Sequence, residues 1–128
     1  MISEGMTISV TDTVTEDNTA LALGSGSLRV YGTPAMVLLV ERAAVKLLEG
    51  NLDGDMTSVG TEVSLEHIAP TPLGGEITCK LVLSKIDRKK IKFDIEVSDG
   101  YEVVGRGTHS RFIVVSDRFQ KKADNKML

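Results

Sequence analysis

The chain has 128 residues, 41% hydrophobic and 26% charged, which suits one globular domain able to bury about two-thirds of its unfolded surface. A net charge of −3, a pI near 5.4 and only 4% aromatics leave neither a dominant basic face nor stacking platforms for nucleic acid. One cysteine, Cys79, excludes an internal disulfide and, with only two histidines, a zinc cluster, so a reducing cytoplasm is the expected compartment.

The opening Met1-Ile2-Ser3-Glu4-Gly5-Met6 has no basic region followed by an apolar one, so no signal peptide is expected there. A first strand is predicted from Thr7 to Val14, where Ile8, Val10 and Val14 alternate with polar residues. A Gly/Ser stretch, Leu23 to Ser27, then leads to a helix over Gly32 to Gly50. Thr33 is the expected N-cap, Pro34 fits the first helical position and Gly50 ends the helix. Arg42, Lys46 and Glu49 form its solvated stripe. No apolar run reaches membrane-spanning length, since Arg42 and Lys46 interrupt the helix.

After a turn-rich loop, Asn51 to Asp55, the chain reads as almost all strand. Strands are predicted at Thr57 to His67, Glu76 to Ile86 and Ile91 to Ser98, the last in strict alternation of Ile91, Phe93, Ile95 and Val97 with polar partners. Asp99-Gly100 marks a two-residue hairpin into a final strand, Tyr101 to Val115. Ser116 to Leu128 reads as a polar tail or short helix, its Arg118, Lys121 and Lys122 a solvated terminus rather than a phosphate site. The expectation is a single α+β domain over residues 1–128 with its core at about 7–115. In it a long apolar helix is wrapped by a curved antiparallel five-stranded sheet. Unpartnered edge strands in so small a sheet favour a dimer.

Glu41 is the residue of most chemical interest. It lies off the solvated stripe, and its neighbours three and four positions away are Val37, Leu38, Ala44 and Val45, all apolar. A carboxylate on a buried side is costly unless paired, and that setting suits a nucleophile, a general base or a structural ion pair. Strand parity puts Val59, Thr61, Val63, Leu65 and His67 on one face, so His67 points inward just before Pro70-Thr71-Pro72. An inward histidine near an inward glutamate makes either a proton-transfer pair or a core ion pair. Thr33 is first a capping residue, and about 12 Å of helical rise separates it from Glu41. They meet only through a substrate, an irregular first turn or a partner subunit. Gly60, mid-strand, marks a bulge or a close approach of backbone to a ligand. Gly105 and Gly107 carry the same two readings, and His109 and Arg111 share their parity on a strand too mixed to assign a face. No G-x-S-x-G elbow, P-loop lysine or dinucleotide fingerprint is present.

The order strand, long apolar helix, four strands is similar to the hotdog fold. Gly32-Thr33-Pro34-Ala35-Met36 with Glu41, then Gly60, His67 with Pro70-Thr71-Pro72, and Gly105-Arg106-Gly107-Thr108-His109-Ser110-Arg111 resemble the fluoroacetyl-CoA thioesterase-like branch, over about Thr7 to Val115. The resemblance implies hydrolysis of a small acyl-CoA thioester by a homodimer, with no cofactor beyond the CoA of the substrate and no nucleic-acid or membrane partner. Thr33, Glu41 and His67 match the family's catalytic positions, with Glu41 attacking the carbonyl or activating water. Gly60 matches a position near the substrate carbonyl and Arg111 one near the acyl end. The stretch Asn18 to Tyr31 has no phenylalanine, unlike the aromatic-bearing lid of the fluoroacetate-specific members, so the acyl group stays open. The alternative is a non-catalytic acyl-CoA- or metabolite-binding hotdog protein that tolerates loss of Glu41. A hotdog hydratase ranks below both, because the helix lacks the Asp-x-x-x-x-His pair those enzymes resemble one another in having.

Overall fold

The 3.6-residue spacing of Met36, Leu39/Val40, Ala43/Ala44 and Leu47 gives one helix a continuous apolar stripe, and the alternation of the later strands gives a sheet with one apolar face. The computed structural model describes all 128 residues and packs these two surfaces together. Strand β1 (Thr7–Thr13), a single helical turn α1 (Ala20–Leu23) and the long helix α2 (Thr33–Leu48) come first. Strands β2 (Met56–His67), β3 (Glu76–Asp87), β4 (Lys90–Ser98) and β5 (Val103–Val115) follow, and α3 (Ser116–Asn125) ends the chain. The five strands form one antiparallel sheet in the order β1-β3-β4-β5-β2, so β1 and β2 are its edges.

Helix α2 lies on the sheet's inner face against β1, β2 and β3. Met36, Val40, Ala43 and Ala44 are wholly buried there with Ile77, Cys79, Leu81 and Leu83 of β3 and Ile91, Phe93 and Val97 of β4. Each large apolar side chain so removed from water stabilises the fold by about 1.5–3 kcal/mol. Lys92, Asp94 and Glu96 occupy the solvated face of β4, as the alternation requires. No helix is long and apolar enough to cross a membrane.

Three local expectations are corrected. The N-cap of α2 is Gly32, extended at φ −78° and ψ 141°, and no side chain caps the helix. The Thr33 hydroxyl has another partner, described below. The β4–β5 loop is not a two-residue turn, since Ser98 pairs with Val103. The Asp99 carboxylate reorganises it by accepting the N–H groups of Tyr101 at 3.0 Å and Glu102 at 3.1 Å and the Thr71 hydroxyl at 2.9 Å. Burial alone raises the pKa of this group, but those hydrogen bonds outweigh it and hold the carboxyl below the usual range. Finally, a turn of helix, α1, forms within the stretch before α2, with the Thr19 hydroxyl accepting from the Ala22 N–H.

Candidate active site

Two clusters of polar side chains sit on the inner side of β2, their helix residues Thr33 and Glu41 separated by about 12 Å of helical rise. At the first, the start of α2 meets the end of β2, and the Thr33 hydroxyl lies 2.8 Å from His67 Nδ1. An open cleft of about 290 Å³, lined in part by Val30, Tyr31, Thr33, His67 and Pro70, exposes this pair. The approach to the helix is pinned by Tyr31, whose N–H donates to the Thr71 carbonyl and whose hydroxyl donates to Asp12 at 2.8 Å. Burial lowers the His67 pKa below its ordinary value, against an opposing backbone hydrogen bond with Ala69, so the ring is neutral at pH 7.

At the second cluster, Arg111 Nη1 lies 3.4 Å from Glu41 Oε2. The Arg111 side chain is 6% exposed and that of Glu41 39%. Arg111 is anchored from behind: Nε donates to Ser58 Oγ at 2.8 Å, Nη2 to the Ser58 carbonyl at 3.2 Å and Nη1 to His109 Nε2 at 3.2 Å. Burial lowers the Arg111 pKa while the neighbouring Glu41 carboxylate opposes the shift, and a guanidinium remains a cation throughout. Gly60 completes the cluster. A Cβ there would stand 2.5 Å from Glu41 Oε2 and 3.2 Å from Arg111 Nη1, so the carboxylate occupies the space a side chain would fill. Glu41 opens to a shallow cleft of about 410 Å³ shared with Leu38, Arg42, Val45 and Arg111.

A profile of the family described as fluoroacetyl-CoA-specific thioesterase matches residues 14–117. A fluoroacetyl-CoA thioesterase from Streptantibioticus cattleyicolor is 30% identical over 97 residues, which cover 76% of this chain and 70% of that protein. The chain belongs to this thioesterase family. As a member it is a thioester hydrolase. The crystal structure of a point mutant of the fluoroacetyl-CoA-specific thioesterase superposes with a TM-score of 0.91 at 25% identity, covering 98% of each chain. Another mutant of that enzyme, in complex with acetyl-CoA, gives 0.91 at 25% identity over 99% of this chain and 100% of that one. A Thermus thermophilus protein of the thioesterase superfamily gives 0.91 at 20% identity over 99% and 94%, a likeness of fold alone. The fold is the hotdog fold.

Within that fold the five sequence-predicted residues divide between the clusters: Thr33 and His67 in one, Glu41, Gly60 and Arg111 in the other. Glu41 and His67 are not partners within one chain, and the expected core pair between them does not form. Nor is Glu41 on the buried side of α2. The Leu38 and Val45 taken as its apolar cover are themselves 47% and 52% exposed, so Glu41 stands at the border of the buried stripe. Strand parity gives His67 correctly but misplaces Val59 and Thr61. A bulge between Gly60 and Glu62 leaves Thr61 unpaired and reverses the alternation. Ser58 and Gly60, opposite Ile113 and Arg111, therefore share the inner face with Val63, Leu65 and His67. His109 and Ser58 are the residues the sequence did not bring to the site. His109 carries its signal only through register, because it pairs with Val63 one step from the bulge.

Proposed function

We propose that the protein hydrolyses a small acyl-CoA thioester to the free acid and CoA, working in the cytoplasm as a homodimer with Glu41 as nucleophile or general base. The observation that carries this reading is a half-exposed carboxylate, held through one oxygen by a buried arginine and set against a residue without a side chain. Arg111 engages Oε2 and leaves Oε1 to meet either the thioester carbonyl carbon or the attacking water. The Gly60 backbone and the Arg111 cation border the volume into which the carbonyl oxygen would swing as it gains charge. Thr33 and His67 would orient the thioester and pass a proton toward the departing CoA thiolate.

Two copies unite these roles. Strand β2 is an edge, and it carries Gly60 near its middle and His67 at its end. Two antiparallel β2 edges related by a twofold axis near Val63 would set Gly60 of one protomer against the His67 end of the other. Glu41 of one chain then faces Thr33 and His67 of its partner, which resolves the rise of about 12 Å that separates Thr33 from Glu41 along α2. The family supports the substrate class, since one relative is named a fluoroacetyl-CoA thioesterase and one similar structure holds acetyl-CoA.

Thiol release from short, branched and aromatic acyl-CoAs tests the reading, and release on one of them is expected. Silence across the panel with acyl-CoA still bound would leave a non-catalytic binding protein. A mixing experiment tests the shared site. Glu41→Gln and His67→Ala chains are each expected to be strongly impaired as homodimers, but their heterodimer has one site with both native residues. Co-refolding the two is expected to restore a substantial part of the parent turnover, whereas no recovery would put all the residues of a site on one chain.

The pH profile follows from the neutral His67 ring. With its pKa lowered by burial, kcat/KM is expected to stay level down to pH 6.5 and to fall only below it, as the ring takes the proton it must otherwise accept. His67→Ala removes that acid limb. An unchanged profile in the variant would assign His67 to packing.

A further inference from the structure

His109 is a buried titratable side chain of the inner sheet face. It is 0% exposed, and its ring stacks on Phe93 with centroids 6.0 Å apart and planes 24° from parallel. Nothing in the reaction outlined above uses it, yet both ring nitrogens are committed. Nδ1 lies 2.8 Å from the Glu62 carbonyl and Nε2 lies 3.2 Å from Arg111 Nη1. These partners fix the tautomer. A guanidinium only donates and a carbonyl only accepts, so Nδ1 carries the proton and Nε2 is the acceptor. Burial lowers the pKa of the ring against the opposing hydrogen bond to the Glu62 carbonyl, and the Arg111 cation adds to the lowering against a weaker effect of Glu41.

The bulge makes this arrangement possible. By leaving Thr61 out of the pairing, β2 turns the Glu62 carbonyl toward His109 Nδ1, and the ring in turn aims Nε2 at the guanidinium. The guanidinium makes three contacts with groups behind it, Ser58 Oγ, the Ser58 carbonyl and His109 Nε2. Only the remaining reach of Nη1 goes to Glu41. Ser58 holds the Nε–Nη2 edge, and His109 is the acceptor that holds Nη1 from behind, opposite Glu41.

We propose that His109 is a positioning residue for the hydrolysis: as a permanent neutral acceptor it orients Arg111, and through Arg111 it sets the carboxylate of Glu41. This rests on the proposed role of Glu41. It assigns no proton transfer to His109, which never meets substrate.

Two conservative variants separate the ring's two hydrogen bonds. His109→Asn keeps a donor for the Glu62 carbonyl but is too short to offer Arg111 an acceptor. His109→Gln extends an amide oxygen to the place of Nε2. The Asn variant is expected to lose about 10- to 100-fold in kcat at little changed KM, and the Gln variant to come back to within about threefold of the parent. In a Glu41→Gln background the Asn substitution should cost nothing further. Parent-like turnover of the Asn variant would overturn the proposal, as would equal impairment of Asn and Gln. An Asn chain that does not fold would overturn it too, because His109 would then be a packing residue. Parent-like activity of Glu41→Gln alone would instead remove the role given to Glu41, so the two failures are told apart.

Discussion

Glu41→Gln is expected to lower kcat by about 10³-fold or more while the protein stays folded. Glutamine keeps the shape of the side chain and an oxygen for Arg111 Nη1, so the only deliberate loss is the negative charge. An amide neither attacks a thioester carbonyl nor takes a proton from water, and catalysis is left to whatever the surrounding donors supply. The stability cost is small for two reasons. The Glu41 side chain is 39% exposed, so its ion pair is worth about 1 kcal/mol or less. Arg111, which is buried, loses its counter-charge but keeps both contacts to Ser58 and the one to His109, and the glutamine oxygen still accepts from Nη1, so its N–H groups stay hydrogen-bonded. Steady-state thiol release and a thermal melt on the same sample check both halves. Near-parent turnover would make Glu41 a structural partner of Arg111 and favour the binding protein over the enzyme.

The elements were legible in the sequence because each is encoded by its own period. The α2 stripe repeats every three or four residues, and β4 alternates without a break, so both appear where expected. The site was legible only in part, because its assembly depends on pairing that no single segment encodes. Local parity holds from Val63 to His67, but upstream one extra residue, Thr61, reverses it; Gly60 signals a bulge or a close approach without saying which residue leaves the pairing. For the same reason the faces of β5 stay ambiguous until β2 is set beside it, and His109 cannot be placed. Glu41 shows a different limit. A helical wheel counts apolar neighbours, but it does not tell Leu38 and Val45, which the rest of the chain leaves exposed, from Val40 and Ala44, which it covers. The Thr33 hydroxyl is the third case. A Thr-Pro pair at a helix start satisfies capping rules locally, and only the distant end of β2 supplies His67 as the better partner.

Gly60→Ala carries the second large expected effect, a loss of about 100-fold in kcat with the fold retained. The strand tolerates the substitution in itself, since Gly60 is not among the glycines at positive φ. What the new methyl meets is the functional cluster, with Glu41 Oε2 at 2.5 Å, Arg111 Nη1 at 3.2 Å and His109 Cε1 at 3.5 Å. The first contact is too short to persist, and the atom that yields is the free end of a flexible, half-exposed side chain. The sheet therefore keeps its register and the carboxylate moves, by about the 1 Å that separates a productive approach from an idle one. Gly107 on the neighbouring strand shows the contrast: there a Cβ would stand 1.8 Å from the Ser64 carbonyl oxygen, and backbone has no such freedom to step aside. Circular dichroism with a thermal melt, run beside thiol release, distinguishes the two kinds of glycine. A Gly60→Ala protein that melts like the parent but turns over poorly places the reacting carboxylate against β2. One that keeps its full rate shows that Glu41 does its work elsewhere, swung out into the open cleft it shares with Leu38 and Val45.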